Sequence, residues 1–190
     1  MGKIRLSRGQ KAWLGLLLVS LFLNGGLFLY ERLTATLFYF YGVHSGLVHM
    51  LLGLLTTAAA IAVALVFFQK RRWRALAVIA AACLCIPMDV ILLCSGLLHA
   101  YYPFSSPDGK RQIVVRETKV LLHTYGAIYK QVNPLFMECV EPGLLMEGAP
   151  FSAGNYAVDW QEDQAVVTYT TVTGNGQIGG RHRAAVSFTE

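Results

Sequence analysis

Three long apolar runs occupy the first half of the chain, with polar or charged residues between them. They span Ala12–Tyr30, Leu47–Phe68 and Ala75–Leu98. Each is long enough to cross the hydrocarbon core of a bilayer as a helix of roughly 20 residues. The link 69–74 between the second and third runs is short, so those two helices should be antiparallel neighbours. We therefore predict a three-span transmembrane anchor over residues 1–100.

The pattern of apolar residues changes after this region to short segments that alternate between apolar and polar positions. The clearest pair is Tyr156–Trp160 and Ala165–Thr171, joined by the polar turn 161–164. Alternation with period two predicts half-buried strands, and this pair predicts a hairpin. Further predicted strands are Gln112–Glu117, Lys119–His123, Gly126–Val132, Leu135–Val140 and Arg183–Phe188. We predict a small, mostly antiparallel β domain of six or seven strands over residues 101–190.

Positive charge lies on alternate sides of the apolar runs. Lys3, Arg5, Arg8 and Lys11 precede the first run, and Lys70, Arg71, Arg72 and Arg74 separate the second from the third. The link between the first and second runs carries only Arg32, next to Glu31. Cytoplasmic loops of membrane proteins collect Lys and Arg. We therefore expect a multi-pass plasma-membrane protein with a cytoplasmic N-terminus and an extracytoplasmic β domain.

Composition narrows the classes of function. The net charge of +5 comes from cations that flank the apolar runs, so it does not indicate a nucleic-acid partner. Cys83, Cys85 and Cys94 lie in the third run and Cys139 is alone in the β domain, which argues against a disulfide framework. We find no motif typical of catalysis or of cofactor binding. We therefore predict a protein that is not an enzyme and has no cofactor.

Polar residues inside the apolar runs form the first candidate site. Asp89 lies within the third run, two residues after Pro87, and depth counting places Asn24, Thr56 and Thr57 near the same level. A carboxyl group in hydrocarbon is costly, so Asp89 should face the other helices and be hydrogen-bonded. Three roles are open: a structural contact within the chain, a contact to another membrane subunit, or part of an ion, proton or substrate pathway.

Aromatic residues form a second candidate site, a surface for a partner or ligand. Phe38, Tyr39 and Tyr41 lie in the link Tyr30–Gly46, which we predict to be an interfacial helix or an extension of the first span. A lipid or partner contact is the alternative. Trp160 is included in this surface, although its alternation with Tyr156 and Val158 also suits a core stripe.

Three histidines could in principle form a metal site. His44, His49 and His99 should all lie near the outer interface of the membrane. Zinc sites in proteins use such side chains at recognisable spacings, and no spacing motif joins these three. We therefore predict independent interfacial histidines and no metal.

The motifs of the β domain resemble those of a protein group. Ser106-Pro107-Asp108-Gly109-Lys110, then Tyr129, then the stretch from Pro150 to Trp160 (PFSAGNYAVDW) are similar to small extracytoplasmic domains of uncharacterised Gram-positive membrane proteins and lipoproteins. The similarity covers residues 105–171. Its motifs are turns and strands, so the resemblance implies a location and a fold, and no activity.

These observations together lead to one expected function and one alternative. We expect a non-enzymatic protein of the bacterial cell envelope that presents its β domain for binding or sensing, or as an accessory subunit. Its partners would be the lipid bilayer and another membrane or envelope protein. The alternative is a membrane subunit with a transport- or proton-linked role centred on Asp89.

Overall fold

Three helices and nine strands make up the part of the chain that the computed structural model describes, residues 7–68, 70–121, 123–172 and 178–188. The backbone divides into two compact units. The helical unit comprises the chain up to Leu33 together with Ser45–Gly96, and the β unit comprises Thr34–His44 together with Leu97–Glu190. The predicted fold class, three transmembrane-length helices and a mostly antiparallel β domain, is confirmed.

The helices are α1 (Arg8–Thr34), α2 (Ser45–Phe67) and α3 (Arg71–Leu98). All three are long and apolar enough to cross a membrane. α1 begins with a reciprocal cap: Ser7 Oγ accepts the N–H of Gln10 at 3.2 Å, and Gln10 Oε1 accepts the N–H of Ser7 at 2.8 Å. α3 continues through Pro87. Just after the C-terminal end of α2, the carbonyl of Phe68 accepts a hydrogen bond at 2.8 Å from Nε of Arg74, which lies in the first turn of α3.

The link between the first two helices differs from our expectation. α1 does extend to Thr34, but the residues that follow form a hairpin of β1 (Thr36–Phe40) and β2 (Val43–His44) instead of an interfacial helix. Its two-residue turn, Tyr41-Gly42, has φ of 46° and 87°. Positive φ at both positions is what the tight turn of a twisted hairpin requires. The aromatic run therefore follows the geometry of a strand.

The remaining strands are β3 (His99–Ser105), β4 (Gln112–Val120), β5 (His123–Gln131), β6 (Phe136–Leu145), β7 (Tyr156–Trp160), β8 (Gln164–Val172) and β9 (Ile178–Ser187). The hairpin predicted at residues 156–171 is confirmed as β7 and β8. The predicted separate strand Lys119–His123 is wrong, because β4 runs on to Val120 and turns at Leu121, where φ is 53°. We did not predict β3.

Two antiparallel sheets form the β unit. The larger has the order β2-β1-β6-β5-β4-β3, and the smaller has the order β7-β8-β9. β1 pairs with β6, with Phe38 opposite Phe136. The link between α1 and α2 is thus part of the same sheet as the C-terminal strands, and the β unit extends beyond the predicted segment 101–190.

The larger sheet is curved strongly enough for its two ends to meet. His44 in β2 stacks on Tyr101 in β3, with ring centroids 4.3 Å apart, and Tyr39 in β1 lies 6.3 Å from the same ring. These strands are at opposite ends of the strand order. The sheet is therefore a half-barrel with a concave face of its own.

Both faces of the central strands are buried. Ile113, Val114 and Val115 are fully buried because alternate side chains enter different cores. Ile113 and Val115 pack against the smaller sheet, in a core that also contains Val167 and Val186. The concave face of the half-barrel holds a second core, whose buried members are Leu37, Tyr39, Val114, Ala127, Tyr129 and Met137.

Candidate functional site

The four polar residues predicted to cluster within the apolar runs lie in three separate contacts. Thr57 Oγ1 donates to Asp89 Oδ2 at 2.6 Å, which joins α2 to α3. Thr56 Oγ1 instead lies within hydrogen-bonding distance of Ser20 Oγ, at 3.0 Å, and of the carbonyl of Leu52, at 2.7 Å. Asn24 Oδ1 lies 2.5 Å from Nδ1 of His49. The structure therefore brings Thr57 and Asp89 together and gives Asn24 and Thr56 other partners.

Asp89 can approach α2 because the nearest position has no side chain. A Cβ atom built on Gly53 would lie 2.8 Å from Asp89 Oδ1 and 3.0 Å from Leu92 Cδ1. Gly53 and Thr57 are four residues apart and lie on one face of the helix. Small residues at helix interfaces let polar groups from neighbouring spans meet at short range. The Asp89 carboxyl is accordingly held by α2.

A second polar chain connects α1 to α2 through His49. The Nε2 atom of His49 lies 3.2 Å from Glu31 Oε2, and Glu31 Oε1 accepts a short hydrogen bond from Ser45 Oγ. Both members of the pair are largely buried, with side chains 10% and 14% exposed. With Asn24 on its other nitrogen, His49 has an oxygen atom facing each nitrogen of its ring. Both of these oxygen contacts to the His49 ring come from α1.

We did not predict this polar chain between α1 and α2, because we expected His49 to be an independent interfacial residue and Glu31 to be a loop charge. The spacing offered a signal. Asn24 and Glu31 are seven residues apart on α1, and Ser45 and His49 are four apart on α2, so each pair lies on one helix face.

The predicted partner surface divides into exposed and buried residues. Tyr41 is 92% exposed at the tip of the β1–β2 turn. Tyr39 is buried in the concave core, and Phe38 makes an edge-to-face contact with Phe136 at 5.7 Å. Trp160 is partly buried against the core between the two sheets, and its ring stacks on Phe188 with the ring centroids 5.9 Å apart. Within this set, Tyr41 is the side chain that most clearly faces solvent.

Glu117 is a fully buried carboxylate of β4 that we did not predict as a site residue. Its Oε1 accepts the N–H of Phe151 at 3.1 Å, and its Oε2 accepts the N–H of Ser152 at 3.1 Å and the Ser152 hydroxyl. A buried carboxylate that accepts several hydrogen bonds is stabilised in place. Glu117 therefore fixes the segment 150–155 against the larger sheet.

The concave face of the half-barrel also carries positive charge. The guanidinium of Arg116 lies over the ring of Tyr129, 5.4 Å from its centroid. Burial raises the pKa of Tyr129, although the charge of Arg116 opposes the shift, and burial likewise raises the pKa of Cys139. Burial lowers the pKa of His99, and the charge of Arg116 lowers it further. Burial is the largest cause of all three pKa shifts, so this site is poorly hydrated, and Arg116 adds a positive charge to it.

An open depression lies on the outer face of the smaller sheet. Its lining includes Asp159 from β7, Thr168 from β8, and Arg181 and Arg183 from β9. Both arginines are exposed. Charged side chains on edge strands also discourage pairing with other chains. The charges of this depression are therefore explained by the edges of the sheet.

No group of three or more His, Cys, Asp or Glu side chains within the described residues is arranged to hold a metal ion. His44 and His99 both contact Tyr101, whereas His49 belongs to the polar chain between α1 and α2. The cysteines of the described residues are free thiols.

Comparisons with known proteins give no assignment: no family model, no curated protein and no solved structure matches this chain.

Proposed function

We propose that this chain is a non-enzymatic plasma-membrane protein that presents its β unit outside the cell as a binding module. The module would serve in sensing or as an accessory subunit of a larger envelope assembly. The resemblance of residues 105–171 to small extracytoplasmic domains agrees with this placement.

One observation carries the proposal. The larger sheet combines β1, which precedes α2, with β6, which follows α3. Both segments must therefore be on the same side of the membrane if α2 and α3 cross it. The cations at 70–74 are at the opposite ends of those two helices. Because cytoplasmic loops collect Lys and Arg, this supports an extracytoplasmic β unit.

Labelling of intact cells tests the placement. Single cysteines replace Arg72 or Glu162, both exposed, in a background without the four native cysteines. A membrane-impermeant maleimide should label position 162 in intact cells and position 72 only after the cells are broken. Labelling of position 72 alone in intact cells would reverse the proposed orientation.

A transport- or proton-linked role is the second candidate. It is favoured by the Thr57–Asp89 contact and by the His49–Glu31 pair, because ionisable groups inside membrane spans often mark proton or ion paths. Asp89→Asn keeps the shape of the side chain and removes its charge. Under this role it should abolish proton-coupled activity in vesicles while leaving the protein folded. Under the binding role it should leave the function of the protein intact.

A further inference from the structure

The concave face of the half-barrel contains a cation with no counterion. The Nε atom of Arg116 is buried and has no hydrogen-bond partner, and Arg116 belongs to none of the ion pairs within the described residues. Its neighbour across the β3–β4 pair is Tyr101. The ring of Tyr129 compensates part of the charge, because cations are attracted to aromatic faces. The Nε–H of Arg116 nevertheless has no hydrogen-bond acceptor in the part of the chain that the structure describes.

A second unpartnered donor or acceptor lies on the same face. Nδ1 of His99 is buried and has no hydrogen bond of normal geometry within the described residues. His99 and Arg116 are on adjacent antiparallel strands, where residue 99 is opposite Thr118 and residue 101 is opposite Arg116. Buried polar atoms in native proteins nearly always have a partner, so two such atoms on one face need an explanation.

We propose that the concave face binds a phosphate group through Arg116 with His99 beside it. Guanidinium groups hold phosphate oxygens with two parallel hydrogen bonds. The surrounding aromatic side chains, Tyr39, Tyr101 and Tyr129, keep water away and strengthen the attraction. Mouths of small β-barrels are common places for ligands. This inference deepens the proposed binding function and rests on it.

The phosphate chemistry could come from a soluble ligand or from a lipid headgroup. The experiment therefore uses the full-length protein, freed of lipid in a neutral detergent, with two probes. One is inorganic phosphate, compared with sodium chloride at equal ionic strength. The other is a short-chain phosphatidylglycerol at the same phosphate concentration. The thermal unfolding midpoint and the ³¹P line width of each probe are measured.

We expect phosphate to raise the unfolding midpoint of the wild type beyond the effect of chloride and to broaden the ³¹P line. Arg116→Gln should weaken the affinity for phosphate at least about tenfold. Arg116→Lys keeps the positive charge but cannot form two parallel hydrogen bonds, so its affinity should lie between those of the wild type and Arg116→Gln. Lys119→Gln is the matched control, because Lys119 is an exposed cation on the same strand. It should change the affinity less than about twofold.

The relative stability of the wild type and Arg116→Gln, measured with and without phosphate, is a second readout. Without an anion, Arg116→Gln should be at least as stable as the wild type, because it removes a partly buried charge with no counterion. With phosphate the order should reverse in favour of the wild type. A much larger response to the lipid than to inorganic phosphate would identify a headgroup as the source.

The proposal is overturned if neither probe shifts the wild type, or if Arg116→Gln and the wild type respond equally. If neither probe shifts the wild type but the cysteine at position 162 is labelled in intact cells, the anion site is ruled out and the proposed orientation in the membrane stands. Inverted labelling would remove the placement and leave the anion site standing.

Discussion

At the scale of single residues, the β unit depends on a buried carboxylate, Glu117, whose two oxygens both accept hydrogen bonds. These hydrogen bonds come from Phe151 and Ser152. A strand pattern predicts which face a residue occupies, but it treats a charged residue as solvent-facing. The buried position of Glu117 follows from the distant segment that supplies its donors, which no local pattern contains.

Glu117→Gln should destabilise the protein by about 1–3 kcal/mol, because the amide places a donor against backbone N–H donors. Chemical unfolding of the full-length protein in detergent measures the change. Ser152→Ala should cost less, about 1 kcal/mol, because the backbone contacts stay. Glu162→Gln, at an exposed turn, should have no measurable effect. Equal effects at positions 117 and 162 would contradict the role of the buried carboxylate.

The stability of the protein should depend on pH through Asp108, which lies in the turn between β3 and β4. Ser106 Oγ donates to Asp108 Oδ1 at 2.5 Å, and this bond, followed by the backbone N–H of Lys110, lowers the pKa of Asp108. A carboxyl whose pKa is lower in the folded state stabilises the fold above its unfolded pKa, and the contribution disappears as the pH falls through the folded value.

Stability of the wild type should therefore decline on acidification below about pH 4, and Asp108→Asn should lessen that decline. Unfolding midpoints between pH 7 and pH 2.5 provide the measurement. Asp163→Asn is the control, because Asp163 is an exposed carboxylate in the turn between β7 and β8. An identical pH profile for wild type and Asp108→Asn would refute the assignment.

At the scale of elements, the contact between α2 and α3 depends on the small residue opposite Asp89. Gly53→Ala should displace the carboxyl, because its Cβ would lie 2.8 Å from Oδ1. Asp89→Leu should destabilise the helical unit by about 1–2 kcal/mol on the scale of hydrogen bonds between membrane helices. Asp89→Asn should preserve stability, since it still accepts the Thr57 hydroxyl.

A thermal-shift series on these three variants makes the comparison. Gly25→Ala is the matched control, because a Cβ on that glycine of α1 would meet nothing within 4 Å. If Asp89→Leu and wild type unfold at the same temperature, the contact contributes nothing to the bundle.

The elements that the sequence predicted well are those whose signal is local. Long apolar runs gave the three helices, and alternation gave the β7–β8 hairpin. β1 was missed because Phe38 and Tyr39 suit an interface as well as a strand, and their partner, β6, follows about a hundred residues later. Likewise, depth counting placed Asn24 with Asp89, whereas the rotation of α1 directs it to His49.

At the scale of the whole molecule, the pairing of β1 with β6 can be tested by crosslinking. Cysteines at Phe38 and Phe136, which are directly opposite, should oxidise readily in a background without native cysteines. A cysteine pair at Phe40 and Phe136 should react more slowly, because the side chains are offset along the strand. The readout is a shift in gel mobility that a reductant reverses. Equal rates for the two pairs would argue against this register.

The same pairing has a consequence for how the chain is made. β1 leaves the ribosome before α2, but β6 is synthesised about a hundred residues later, on the order of 5–20 seconds at typical rates of translation. During that interval the edge of β1 that pairs with β6 has no partner strand, and Phe38 lacks the ring of Phe136. Such edges invite aggregation, so this protein should need protection by a chaperone while its membrane helices are inserted.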